Sequence, residues 1–135
     1  MTLKEIKEHV MHQTNNDADD LEDFVPYLDR YVNDAYDRMV MAWAGQHLVF
    51  NNEDPLEAYP ALAEDDDEPN LPDWLHPYLA DWATWLVYRN GNPQKQSRGM
   101  AFRYSFEDAL AKIRNQGGLA GQATDYKNFR NHLDP

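Results

Sequence analysis

Apolar residues recur at helical spacing in four stretches of this chain, with polar or proline-containing segments between them. Leu3, Ile6 and Val10 share one helical face, and Thr2-Leu3-Lys4-Glu5 has the form of a capping box, so a short first helix is predicted. The polar, acidic run Asn15 to Asp20 reads as a turn. Phe24, Leu28, Tyr31, Ala35, Met39 and Trp43 then mark a second helix, which begins between Asp20 and Pro26 and runs to about Ala44 with Gly45 as its stop. In the third stretch Leu75, Leu79, Trp82 and Leu86 form one stripe, and Trp74, Tyr78, Trp85 and Tyr88 form the stripe beside it. Asn90 and Gly91 suit a left-handed helix end, Asn92 a side-chain cap and Pro93 a first helical position. Phe102, Phe106, Leu110 and Ile113 define the fourth helix, ended by Gly117-Gly118. A link this short between the third and fourth helices predicts an antiparallel hairpin.

The helical period is lost from Gln46 to Asp73. His47 to Phe50 reads as a short extended piece. The run Glu64-Asp65-Asp66-Asp67-Glu68 repels itself and is expected to bury nothing, to be mobile in an isolated subunit and to order against a partner. After Gly118 a tail carries Leu119, Tyr126, Phe129 and Leu133 at spacings that suit one or two helical turns once docked, and it is too short to hold a helix alone. The fold class is therefore all-α: a small bundle of about four helices with a long acidic loop (46–73) and an extended C-terminal tail. Residues 1–118 form the helical domain and residues 119–135 the tail, placed against a partner.

With 135 residues the chain fits one domain with a real core. The 42% apolar content argues against wholesale disorder, while a mean hydropathy of -0.83 leaves much of the chain solvated. Cysteine is absent, which removes disulfides, thiolate metal sites and a cysteine nucleophile. No apolar run approaches the roughly 20 residues of a membrane span, and no secretory signal opens the chain, so a soluble protein made in the cytoplasm, without membrane partners, is expected. The net charge of -12 is uneven. To Tyr88, 20 acidic residues face Lys4, Lys7, Arg30 and Arg38; from Arg89 onward 8 basic residues face 4 acidic ones. Most of this surface repels a phosphate backbone, which disfavours ordinary nucleic-acid binding.

Catalytic and metal motifs find no positive support. Asp17, Asp19 and Asp20 invite a calcium loop, but an EF-hand starting at Asp17 has Glu22 where glycine is needed and Leu28 where the bidentate glutamate belongs. Asp65, Asp66 and Asp67 read as solvated charge. His9 and His12 share a helix face with no third ligand nearby in sequence and read as surface residues; His76, before Pro77, reads as a capping or packing residue. No G-x-S-x-G, P-loop, H-E-x-x-H or G-x-G-x-x-G occurs. The expectation is a non-enzymatic protein with no cofactor and no metal.

The aromatic sector of the third helix is wider than one packing neighbour buries. Either this helix is central in the bundle or one side of it faces another subunit, and the two can coexist, with Leu75, Leu79, Trp82 and Leu86 inward and Trp74, Tyr78 and Trp85 nearer an interface for which Tyr88 is a further candidate. Arg89, Lys95, Arg98 and Arg103 read as a basic cluster at the corner, either solvated or meeting Asp29, Asp34, Asp37 or Asp81 of an adjacent copy. In the tail, Tyr126, Phe129, Arg130 and Leu133 are the candidate partner contacts. Such head-to-tail complementarity is heterologous, and heterologous contacts close into rings when the rotation permits.

LPDWLHPYLADWATWLVYRNGN followed by QSRGMAFRYSFEDALAKIR resembles the helical hairpin of head-tail connector, or adaptor, proteins of tailed bacteriophages. LKEIKEHV and VPYLDRYVNDAYDRMV extend the resemblance from about Thr2 to Gly118, with a gap across Asn51 to Asn70. The resemblance implies a helical ring in the virion neck, commonly of twelve subunits, seated beneath the portal protein and supporting the next neck or tail-completion protein. It also implies a channel through which DNA passes without sequence-specific binding, and assembly in the host cytoplasm. The alternative from another class is a small acidic inhibitor that imitates DNA and occupies a basic site on a host enzyme.

Overall fold

A computed structural model describes residues 1–14, 24–47 and 59–121, with side chains to residue 44 in the second stretch and to residue 115 in the third. It is an all-α bundle of four helices, with no strand among the described residues. Helix α1 spans Leu3–Gln13, α2 Leu28–His47, α3 His76–Tyr88 and α4 Pro93–Gly121. Short 3-10 turns, Val25–Tyr27 and Asp73–Leu75, lead into α2 and α3. Proline sits early in both of these turns or the helices they open, where its missing N–H leaves no bond unmade.

Helices α2 and α3 each touch the other three helices, and α3, the more completely buried of the two, is the central one. This accounts for its wide apolar sector: Leu79, Ala80, Trp82, Ala83, Thr84, Leu86, Val87 and Tyr88 are all buried, covering about two thirds of its circumference, with Tyr78, Asp81 and Trp85 on the remainder. Leu3, Ile6 and Val10 of α1, Val32, Ala35, Tyr36, Met39 and Val40 of α2, and Phe106, Ala109 and Ile113 of α4 complete the core. The α2 stripe is thus broader than the one predicted. Tyr31 and Trp43 lie at its edge, and Val32, Tyr36 and Val40 carry much of the contact.

The ends of α1 and of the hairpin follow the sequence closely. Thr2 Oγ1 accepts the Glu5 N–H at 3.2 Å, and Glu5 Oε1 accepts the Thr2 N–H at 3.0 Å. Asn92 Oδ1 accepts the Lys95 N–H at 3.0 Å with Pro93 as the first helical residue. Gly91, however, does not occupy the left-handed region, and a side chain there would meet Lys95 Cβ at 2.8 Å. The corner needs glycine for space. Gln96 then donates to the carbonyls of Arg89 and Gly91, satisfying acceptors in the turn that follows α3. Two glycine stops also fail: α2 passes through Gly45 to His47, and α4 passes through Gly117 and Gly118 to Gly121. A glycine inside a helix costs only about 1 kcal/mol relative to alanine, too little to terminate a helix by itself. The extended piece expected at His47 to Phe50 is helical at His47 and otherwise lies outside the described residues.

The charged run Glu64 to Glu68 buries none of its side chains, as its sequence implies, but the segment around it is held within this chain. Tyr59, Leu62, Pro69 and Leu71 are buried on either side of the charged run. Asp67 Oδ2 accepts the N–H groups of both Ala63 and Glu64 at 2.8 Å. The carbonyls of Asp67 and Asp65 accept the N–H groups of Leu3 and Lys4, at 2.8 and 3.1 Å. With Thr2 serving Glu5, the first three helical N–H groups of α1 are paired, and Glu68 of the same run lies 3.6 Å from the Met1 amino group at that end. Lys7 adds ion pairs to Asp65 at 3.3 Å and to Asp29 at 2.9 Å.

Candidate interaction surface

The aromatic residues of the hairpin separate by depth. Trp82 is 8% exposed, packs on Phe106 at a centroid distance of 4.9 Å, and donates its indole N–H to Asp34 Oδ2 at 2.7 Å. Tyr88, a candidate interface residue, is only 5% exposed and stacks on Phe102 at 6.3 Å. That leaves it little surface for a neighbour.

Trp85 and Tyr78 are half-buried, and cations of α4 cover part of what remains. Arg103 lies 5.5 Å above the Trp85 ring and pairs with Glu107 at 2.9 Å; Lys112 lies 6.0 Å from the Tyr78 ring and pairs with Asp108 at 3.5 Å. Trp85 also fixes the spacing of the hairpin, because Gly99 of α4 lies directly against it and Tyr88. Trp74, at the mouth of the hairpin, is 41% exposed, and Tyr104 on α4 is 59% exposed.

The predicted basic cluster does not form one patch. Arg103 belongs to Trp85 and Glu107, Lys95 packs under Gly91, Arg98 is exposed on α4, and Arg89 faces α2. Three of the carboxylates suggested as its targets in another copy are engaged inside this chain: Asp29 with Lys7, Asp34 with Arg38 and Trp82, and Asp81 with Gln13 and Ser105. Burial and the nearby Asp34 charge raise the Asp37 carboxyl above the ordinary aspartate range. Tyr126, Phe129, Arg130 and Leu133 lie outside the described residues.

A polar junction between helices escaped sequence reading. Gln13 donates to Asp81 Oδ1 at 2.7 Å, Ser105 donates to Asp81 Oδ2 at 2.8 Å, and Thr84 donates to Gln13 Oε1 at 2.6 Å. It ties α1, α3 and α4 together with its acceptors paired. Its chemistry is structural, since the Ser105 hydroxyl gives its hydrogen to a carboxylate already committed to a second donor. His76 is buried, with Nε2 2.8 Å from the Leu71 carbonyl and Nδ1 2.7 Å from the Met1 amino nitrogen. Those partners assign the hydrogen to Nε2 and leave Nδ1 as acceptor. His9 and His12 are exposed.

Among the described residues no group of three His, Asp or Glu side chains is placed to hold a metal ion, and no helix is long and apolar enough to cross a membrane. No family model, curated protein or solved structure matches the chain.

Proposed function

We propose that this chain is a structural protein of the bacteriophage neck, a head-tail connector. It joins copies of itself into a ring, twelve-membered in the proteins it resembles, beneath the portal, receives the next neck or tail-completion protein and extends the DNA channel. The observation that carries this reading is the helical hairpin: its sequence, from Leu71 through Asn92 to Arg114, resembles connector hairpins, and those residues build an antiparallel pair with α3 at the centre of the bundle.

The surface supports the same role. Trp74 and Tyr104 remain exposed on the hairpin, as suits residues awaiting a neighbour. Glu64, Asp65, Asp66 and Glu68 form an exposed acidic edge held in a fixed shape by Asp67, and fixed negative charge keeps passing DNA from adhering. The work is geometric and requires no turnover. The protein is made in the host cytoplasm and ends in the virion.

Native mass spectrometry of the full chain, alone and with portal protein, tests this. The expected result is a closed ring, formed alone or on the portal. A monomer at high concentration that portal protein leaves unchanged defeats the reading.

A further inference from the structure

Both arginines of the acidic half of the chain, Arg30 and Arg38, lie with Arg89 around one cleft between α2 and the end of α3. Tyr31, Asp34 and Leu86 complete its lining, and its volume is about 180 Å³. Arg30, Asp34 and Arg38 follow one another at four-residue spacing, which sets them along a single stripe of α2. Arg89 arrives from the end of α3, where the negative end of the helix dipole favours a cation.

The three guanidiniums are not equivalent. Arg38 lies 4.6 Å from the Trp82 ring centroid and gives its Nε–H to Asp34 Oδ2 at 2.9 Å. The same oxygen accepts the Trp82 indole, so the single carboxylate of the cleft is committed to groups already in place. Arg30 and Arg89 are exposed and have no ion-pair partner among the described residues. Among the described residues that line the cleft, three cations surround one carboxylate, on a chain whose net charge is -12.

That contrast restricts what binds. An extended polyanion approaching Arg30 and Arg89 is repelled by the rest of the surface, whereas one or two carboxylates presented locally are not. The cleft is partly open to solvent, which admits a group carried on a larger body. The neighbouring surface is of interface type: Tyr27 is 48% exposed and stacks on Tyr31 at 6.4 Å, and Val25 is exposed beside it in sequence.

We propose that this cleft is a docking site for an acidic segment of a partner protein, whose aspartate or glutamate carboxylate is gripped by Arg30 and Arg89. The planar guanidinium fork matches a carboxylate through paired N–H groups. Tyr27 and Val25 take the apolar stem or a neighbouring side chain. This assignment names a surface and a partner chemistry, and it stands whether or not the chain forms a ring.

The test uses the full ¹⁵N-labelled chain at low ionic strength, titrated separately with an oligoglutamate peptide and with inorganic phosphate. The Trp82 indole N–H and the arginine Nε–H signals report occupancy. Saturable shifts with the peptide are expected, weakened by about tenfold or more in the Arg30→Gln/Arg89→Gln double variant and unchanged in Arg98→Gln. All three arginines are exposed, so thermal unfolding should confirm that the variants fold. Self-association lost in the double variant alone also supports the assignment and makes a second copy the partner. Absence of saturable binding, equal binding by the double variant, or phosphate saturating the site at lower concentration than the peptide overturns it.

Discussion

The indole N–H of Trp82 and the Nε–H of Arg38 converge on one oxygen of Asp34, at 2.7 and 2.9 Å, while the Arg38 guanidinium also lies over the Trp82 ring. Asp34 thereby fixes a core residue and a surface cation together. In Asp34→Ala the indole keeps its burial and loses its acceptor, a loss of about 1–3 kcal/mol. In a Trp82→Phe background the same change should cost clearly less, because no N–H is left unpaired. Urea unfolding of the four proteins measures the difference, and equal costs in both backgrounds would contradict the coupling.

His76 makes a similar case deeper in the fold. His76→Phe keeps an aromatic ring in the site but strands the Leu71 carbonyl, which now accepts from Nε2 at 2.8 Å. Destabilisation by about 1–3 kcal/mol is expected by urea unfolding. A neutral result would mean that the Leu71 carbonyl is readily served by water.

The four helices, the capping box at Thr2 and the Asn92-Pro93 start were legible because each is a local pattern: an apolar period, or a side chain three residues from the N–H it serves. The inward stripe Leu75, Leu79, Trp82 and Leu86 was legible for the same reason. What was not legible required distant partners. The acidic run reads as self-repelling until α1 is brought to it and its backbone carbonyls take the N–H groups of Leu3 and Lys4. Arg89 was grouped with Lys95, Arg98 and Arg103 by sequence proximity. In the fold it faces Arg30 and Arg38, 59 and 51 positions earlier in the chain. Gly99 carried no local signal at all, since its role depends on the side chains of α3 opposite it.

The acidic segment should respond to pH in a defined direction. The backbone N–H groups of Glu64 and Ala63 stabilise the charged form of Asp67 and hold its carboxyl below the ordinary aspartate range. For a depressed carboxyl the stabilisation is present above the ordinary range and is lost as pH falls through the lowered value. The Ala63 and Glu64 amide resonances should therefore shift together with a midpoint below that of an unperturbed aspartate, and Asp67→Asn should abolish the transition. A midpoint at or above the ordinary value would contradict the bonding of the segment.

Gly99→Ala sets two effects of opposite sign against each other. Alanine favours a helix interior over glycine by about 1 kcal/mol, which argues for a gain. Its Cβ, however, would meet Tyr88 Cβ at 2.7 Å and Trp85 Cε3 at 2.8 Å. Tyr88 Cβ is tied to the α3 backbone and cannot rotate away, so the clash is not relieved by a side-chain turn. Overpacking of this kind costs roughly 1–3 kcal/mol, enough to exceed the propensity gain in most of that range. The expected net result is a destabilisation of up to about 2 kcal/mol by urea unfolding, with the near-ultraviolet circular dichroism of the tryptophans altered as Trp85 shifts. A variant more stable than the parent chain would show that α3 and α4 separate without strain at this crossing, and that Gly99 is not what sets their distance.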